Sequence, residues 1–284
     1  MVSANKYFIF NHLGLLSFLV VILLTGCSPE YNLAKRYVRN HKDNRIIIIP
    51  AYELYKDNLT ISYNAKHKYS RHQLDSIAWV QSCYIKHVSD SVFLTTFTNS
   101  LINELRREGF DVYVDGGAEV NRIIPDPKWV VRLAQLQLDE NHTITKYQVS
   151  TEKVSGIQYS IASLRLNMLT LNSWFEAGQV DTGSKQLLFL EESIMDNRTL
   201  GYDFILNKGN KGLQENRDSI RMDDIYYMAD ESGRKHAELL FDHFLNEYIG
   251  ENLPAGIVNR KYYYYDRKRN SLMQGVNEWT DVKK

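Results

Sequence analysis

The run Arg45-Ile46-Ile47-Ile48-Ile49-Pro50 is the most strongly patterned segment of the chain. Four β-branched residues in a row, with no polar alternate, predict an interior strand covered on both faces. Pro50 lacks a ladder donor and ends it. Downstream, residues 71–110 carry helical periodicity. An imperfect stripe runs over 72–87 (Leu74, Ile77, Ala78, Val80, Tyr84, Ile85). A cleaner one follows Ser89 or Asp90 as N-cap: Val92, Phe93, Phe97, Leu101, Ile102, Leu105. Gly109 sits where a helix stops, and Phe110–Val114 reads as a strand. Trp129–Leu138 is a further strand, with Ala134, Leu136 and Leu138 inward and Gln135 and Gln137 outward. Segments 157–171 and 185–195 alternate and are joined by a turn at 178–183, so they predict an antiparallel pair. A late helix over 230–248 carries Ala237, Leu240, Phe241, Phe244 and Tyr248, closed by Gly250 and Pro254.

These elements give an α/β or α+β fold, with a mixed, mostly antiparallel sheet flanked by helices. The expected arrangement puts 46–49 between 110–114 and 129–138. Helix 92–105 covers one face, and the late helix around Leu240, Phe241 and Phe244 covers the other. The alternative is a β-sandwich with peripheral helices. Ala51–Ser70 is weakly patterned, with 59–63 as a short strand or extended loop. Tyr202–Leu206 is a candidate short strand, and 207–218 reads as a polar loop. Cys83, the cysteine left once Cys27 is assigned below, reads as a small buried hydrophobe.

The N-terminus carries an apolar run, Leu13–Leu24, about half the length that spans a bilayer. It has the form of a leader that is removed. Leu24-Thr25-Gly26-Cys27 resembles the bacterial lipobox, in which the cysteine is lipidated and becomes the first mature residue. Ser28 resembles the outer-membrane sorting signal, leaving the periplasmic or outer face open. The expected organisation is therefore a signal peptide over 1–26 and a lipidated Cys27 with a polar tether over 27–44. A single domain over 45–257 and a charged, Tyr-rich tail over 258–284, either an added edge strand or loose, complete it.

Lys+Arg and Asp+Glu number 34 each, so the net charge is zero and no nucleic-acid partner is indicated. On the same ground an anionic membrane surface would not pull on the chain strongly. The 19 Tyr and 4 Trp exclude a mainly disordered chain and suggest contact surfaces. Trp174 and the run Tyr262, Tyr263, Tyr264, Tyr265 are the candidate contacts for a partner or a glycan. His236, His243 and Glu247 share a helix, but the two histidines lie about 10 Å apart along the axis and do not share one ion readily. No catalytic set, metal or cofactor is expected. No G-x-S-x-G occurs, and neither Asp223-Asp224 nor Glu191-Glu192 is favoured as an acid pair.

The hydrophobic strand ending in Pro50, the Gly109-Phe110-Asp111-Val112 turn, the strand 129–138, the meander and the late helix together resemble a group of envelope lipoprotein domains. These are the TolB N-terminal, curli-secretion and penicillin-binding-protein-activator type, and the style of the chain resembles Bacteroidetes lipoproteins. The likeness spans about residues 45–248 and rests on element order. It implies a lipid-anchored protein of the cell envelope that binds another envelope protein or supports an assembly, without catalysis. The alternatives are a glycan- or peptidoglycan-binding module and an envelope hydrolase.

Overall fold

A computed structural model describes residues 28–60, 69–115, 126–153, 156–207, 210–254 and 261–281. The leader, Cys27, the 61–63 segment and Gly116-Gly117 lie outside the described residues. The chain divides into two compact units: residues 44–238 with 278–284, and residues up to 43 with 239–277. They are described in turn.

In chain order the elements are α1 (Pro29–Asn40), β1 (Arg45–Ile49), β2 (Leu54–Asn58), α2 (Arg71–Gln81), α3 (Asp90–Arg107) and β3 (Asp111–Val114). Then come β4 (Trp129–Lys153), β5 (Gly156–Gln179), β6 (Lys185–Met195), β7 (Asn197–Asn207) and β8 (Asn210–Asp218). The last are α4 (Met222–Asn252), β9 (Tyr262–Asp266), β10 (Ser271–Gly275) and β11 (Thr280–Asp281).

The larger unit is built on a mixed sheet ordered β11-β6-β5-β4-β1-β3, with β2 also paired to β4. As the isoleucine run predicts, β1 is interior. It lies parallel to β3 (Ile46 beside Val112) and parallel to β4 (Ile46 beside Trp129). β4, β5 and β6 form the antiparallel meander. Pro50 ends β1, and β2 then resumes on the same edge of β4, pairing with 136–140. The strand thus precedes the 59–63 segment offered by the sequence.

Both helices of this unit pack on one face of the sheet. Ile46, Ile48, Val131, Leu136, Leu138, Leu171, Phe175 and Leu188 are buried there with Phe93, Phe97, Leu101 and Leu105 of α3. The first half of α4 lies on the same side, since His236 contacts Phe97 and Phe175. This corrects the expected sandwich of sheet between two helices. The physical reason lies in the second face. It carries the half-buried Ile47, Ile49, Val130, Trp174 and Phe189 beside the polar Gln135, Gln137, Asp139, Thr170 and Asn172. Gln135, Gln137, Asp139 and Asn172 bond to one another, so the middle of this face satisfies its polar groups without a helix over it.

Local chemistry sets the boundaries. Gly109 takes a positive φ of 101°, and the Phe110 N–H reaches the Leu105 carbonyl at 3.1 Å, a Schellman end for α3. A bulge between Leu133 and Gln135 resets the alternation of β4. Leu133 therefore points inward and Ala134 is exposed, the reverse of the sequence reading for Ala134. α2 starts with a capping box, Ser70 with Gln73. It stops at Gln81 rather than running on to 87, because the Glu140 carboxylate takes the next backbone donors. Ser82 Oγ (2.7 Å) and the N–H groups of Cys83 (2.7 Å), Tyr84 (3.0 Å) and Ile85 (3.2 Å) all donate to it. Cys83 is exposed there, not buried as its residue type suggests. Residues 210–218, read from sequence as loop, pair with β7 as a separate hairpin. Buried Asp196 ties its base to β5 and to the link before α4, accepting from Asn167 N (3.0 Å) and Ile220 N (3.0 Å).

The smaller unit holds the segments read as tether and tail, for which the sequence left a helical turn or two and an edge strand open. The expected tether holds α1, capped by Ser28, whose Oγ accepts from Tyr31 N at 3.1 Å. Its narrow stripe, Ala34, Tyr37 and His41, is buried. The Tyr37 ring meets Phe241 and Tyr248 of α4 at centroid distances of 5.7 and 5.4 Å. The expected tail forms the β9–β10 hairpin. Asn246 of α4 brackets Tyr263, accepting its N–H at 2.9 Å and donating to its carbonyl at 2.6 Å, while Asp242 accepts the Tyr265 N–H at 3.0 Å. The boundary between the two units falls inside α4.

Candidate functional site

β2 lines one edge of the sheet, and its alternation splits its side chains between two jobs. Lys56 and Asn58 turn toward the helices. Lys56 Nζ donates to the Val88 carbonyl (2.6 Å), pairs with Asp90 at the start of α3, and lies 5.8 Å from the Trp79 ring. Asn58 Nδ2 donates to the Ala78 carbonyl (2.9 Å), and its Oδ1 accepts from Thr60 N and Oγ1 (3.0 and 2.6 Å). These bonds fix α2 against β2. Tyr55 and Asp57 turn the other way. The result is a hollow of about 290 Å³ lined by Tyr55, Asp57, Asn58, Asp75, Trp79 and Gln137 among others. Two large rings stand open at it: Tyr55 is 51% and Trp79 48% exposed.

A polar ladder leads from this hollow across the face opposite the helices. Gln135 donates to Gln137 (2.9 Å), Gln137 to Asp139 (2.8 Å), and Asn172 to the other Asp139 oxygen (2.7 Å). Burial pushes the Asp139 carboxyl above its usual range. The Gln137 and Asn172 bonds oppose the rise, and the charges of Asp57 and Glu191 add to it. Rings, carboxylates and amides in this order suit a hydroxyl-rich or cationic ligand, through ring stacking and hydrogen bonds.

A second constellation has the residue types of a hydrolase. His236 Nε2 lies 2.5 Å from Ser173 Oγ, and its Nδ1 lies 2.5 Å from the Ser232 carbonyl and 3.8 Å from Glu192 Oε2. A carbonyl can only accept, so Nδ1 carries the proton and Nε2 accepts from the serine. The Leu190 carbonyl, 3.1 Å from the same hydroxyl, is the weaker acceptor. Burial pulls the His236 pKa down to about 4, against the pull of Glu192 and the Ser232 bond. Ser173 and His236 are both 0% exposed. Phe97, Phe175 and Trp279 surround the imidazole at 5.2 to 5.6 Å. A nucleophile needs a reacting carbon about 3 Å away, and the aromatic wall leaves no place for one. This is a polar node of the core.

The sequence-predicted contacts fall in different units. Trp174, in the larger one, is half-buried on the face opposite the helices with its ring 5.0 Å from Phe189. The tyrosine run belongs to the smaller. Tyr263 is 2% exposed, and its hydroxyl lies 3.1 Å from Ser28 Oγ, so it is a core residue and not a contact. Tyr262, Tyr264 and Tyr265 are half-buried, Tyr264 lying across Gly275. Sequence reasoning missed Tyr55 and Trp79. Their signal was weak: Trp79 adjoins Val80, which the imperfect stripe placed inward and which is exposed. Among the described residues no group of three His, Cys, Asp or Glu is arranged to hold a metal ion. No described helix is long and apolar enough to cross a membrane.

The chain matches no family model and no curated protein. Among solved structures it is similar to a putative neuraminyllactose-binding hemagglutinin homolog from Helicobacter pylori. The identity is 12%, over 74% of this chain and 89% of that one, with a TM-score of 0.29. That likeness is too slight to bear on the site.

Proposed function

We propose that the chain is a non-catalytic, lipid-anchored protein of the bacterial cell envelope that binds another envelope protein. The observation that carries this reading is the far part of the β4–β5 hairpin. β2 leaves β4 at Glu140, and β6 leaves β5 at Met168. Beyond them, 141–153 and 156–166 pair as strands only with each other among the described residues, and Asn167 still bonds to Asp196. At about 3.3 Å per residue this ribbon is roughly 40 Å long. A two-stranded ribbon is marginal by itself in water, and its free edges are templates for an added strand. A partner that adds a strand supplies pairing along these edges, beyond the base where Leu164 and Leu166 are already buried. The lipobox-like Leu24-Thr25-Gly26-Cys27 supports the anchor and the compartment, with the outer membrane favoured by Ser28. The aromatic seal over Ser173 and His236 weighs against a hydrolase.

The test places a photo-cross-linking residue at Ile144, which is 60% exposed on the ribbon, and a control at Val276. A discrete adduct in intact envelopes from position 144 alone is expected. It should disappear when residues 146–163 are replaced by Asn-Gly, which closes the hairpin with a tight turn. No adduct, or equal adducts from both positions, ends the reading. Cys27→Ser should abolish acylation and release the protein from the membrane. A second reading, a glycan or peptidoglycan module of the same envelope protein, is favoured by the Tyr55–Trp79 hollow. Trp79→Ala should then abolish binding of peptidoglycan fragments in titration calorimetry.

A further inference from the structure

We propose that α1 is a headgroup-binding element that seats the mature protein on anionic lipid. The inference rests on the lipid-anchor reading only for its location, since a single residue, Ser28, separates Cys27 from the first helical residue, Pro29.

The two faces of α1 differ sharply. Glu30, Ala34, Tyr37 and His41 are buried on one side. At 100° per residue, Lys35, Arg39 and Asn32 fall on the opposite side, with Arg36 at its margin. Lys35, Arg36 and Arg39 are exposed, and with Asn32 and Asn40 they line a shallow depression. None of the three makes an ion pair with a described residue. The helix has one acidic residue, Glu30, and it is on the buried side. The chain as a whole carries no net charge, so this concentration is local and overall charge does not account for it. Each basic residue near an anionic surface is worth about a fivefold gain in binding. Three together give about a hundredfold before screening. Orientation follows from the same numbers. A helix standing upright on Cys27 would lift Arg39 roughly 15 Å off the surface, past the screening length of about 8 Å. A helix lying flat keeps all three charges within it, and the buried stripe then faces away from the lipid.

The test uses residues 27–284 with Cys27→Ser, so that acyl chains do not mask the headgroup effect. The probes are vesicles of phosphatidylcholine alone and with about one third phosphatidylglycerol. The expected result at low salt is at least a tenfold preference for the anionic vesicles, lost at about 0.5 M sodium chloride. The triple change Lys35→Glu, Arg36→Glu, Arg39→Glu should remove the preference. The same charge change at Lys146, Lys185 and Lys268 should leave it. A glutamine version of the α1 triple, gentler on folding, should fall between. An absent preference, or equal loss in the α1 and control triples, overturns the proposal. So does displacement by inorganic phosphate beyond that by chloride of equal ionic strength, which would mark a free-anion site. Mass spectrometry of the Cys27 peptide from cells tests the anchor separately. A missing acyl group there ends the lipoprotein reading while the vesicle result stands or falls alone.

Discussion

Glu140 and His236 are buried ionisable residues whose consequences can be measured. Four donors converge on the Glu140 carboxylate. Glu140→Gln keeps the shape but turns an amide N–H₂ toward donors, leaving buried N–H groups unpaired. The cost should be about 2–3 kcal/mol, read as a lower urea midpoint with unchanged m-value. An unshifted midpoint would mean that the 82–85 turn holds without the carboxylate. His236 governs pH dependence. Its folded-state pKa lies near 4, below the ordinary 6.5. The unfolded chain therefore takes up the proton first as pH falls. Stability from this group is complete above pH 6.5 and drains away down to about 4, roughly 1.4 kcal/mol per pH unit and about 3 kcal/mol in all. Glu192 and Lys235 face the ring and remain in the comparison. Asp139 works in the opposite sense, because burial raises its pKa and its protonation favours the folded state. The difference between wild type and His236→Gln isolates the histidine. It should slope between pH 6.5 and 4.5, and a flat difference would mean that the imidazole is not held neutral by the core. None of this was visible in the sequence. Spacing placed His236 on a helix beside a stripe, but partners 44 and 63 residues away come only from the fold.

Elements were legible where one physical signal dominated. The isoleucine run, the α3 stripe with Gly109, and the alternation in 185–195 each had a single reading, and the β1 neighbours followed from burial. The errors arose where alternation or helical periodicity was interrupted by a partner far away. Glu140 shortens α2 and the bulge at Leu133/Gln135 inverts Ala134, while Asn246 and Asp242 settle a tyrosine run that the sequence left as edge strand or loose. One close approach fixes how α4 meets α3. A Cβ on Gly233 would press on the Phe97 carbonyl and lie 2.9 Å from Ser100 Cβ and 3.1 Å from Leu101 N. Two of these are backbone atoms that cannot rotate away. In an open helix Gly→Ala gains up to about 1 kcal/mol. Here overpacking costs about 1–3 kcal/mol and should win. Gly233→Ala should therefore lower the melting temperature by several degrees. A rise would mean that α4 and α3 stand further apart than this crossing requires.

At the scale of the whole chain, the sequence reads as anchor, tether, domain and tail, yet both ends of the described chain are folded in. The polar look of 28–44 and 258–284 hid a few well-placed apolar residues: Ala34 and Tyr37 in one, Tyr263 and Trp279 in the other, all buried. A tail that is mostly charge and tyrosine would be dispensable, and the structure argues that it is not. In the smaller unit Tyr263 fills the core, and its backbone accepts one bond from Asn246 and donates another to it. In the larger unit β11 adds to β6 through Thr280 beside Phe189, and Trp279 stands 5.5 Å from Phe175 and 5.6 Å from His236. Removing residues 278–284 alone strips one wall from the Ser173–His236 node and admits water to a neutral buried histidine. Loss of a buried Trp costs about 3–5 kcal/mol, which in a chain of this size lowers the melting temperature by about 10 °C or more. Trp279→Phe keeps a ring in the wall and should recover about half of that loss. Water entry adds a second readout. With the wall gone, the His236 imidazole is solvated, so its NMR titration midpoint should move from near 4 toward 6.5. An unchanged melt together with an unchanged midpoint would mean that the terminal strand is ornamental to the sheet, and that the node is sealed by Phe97 and Phe175 without it.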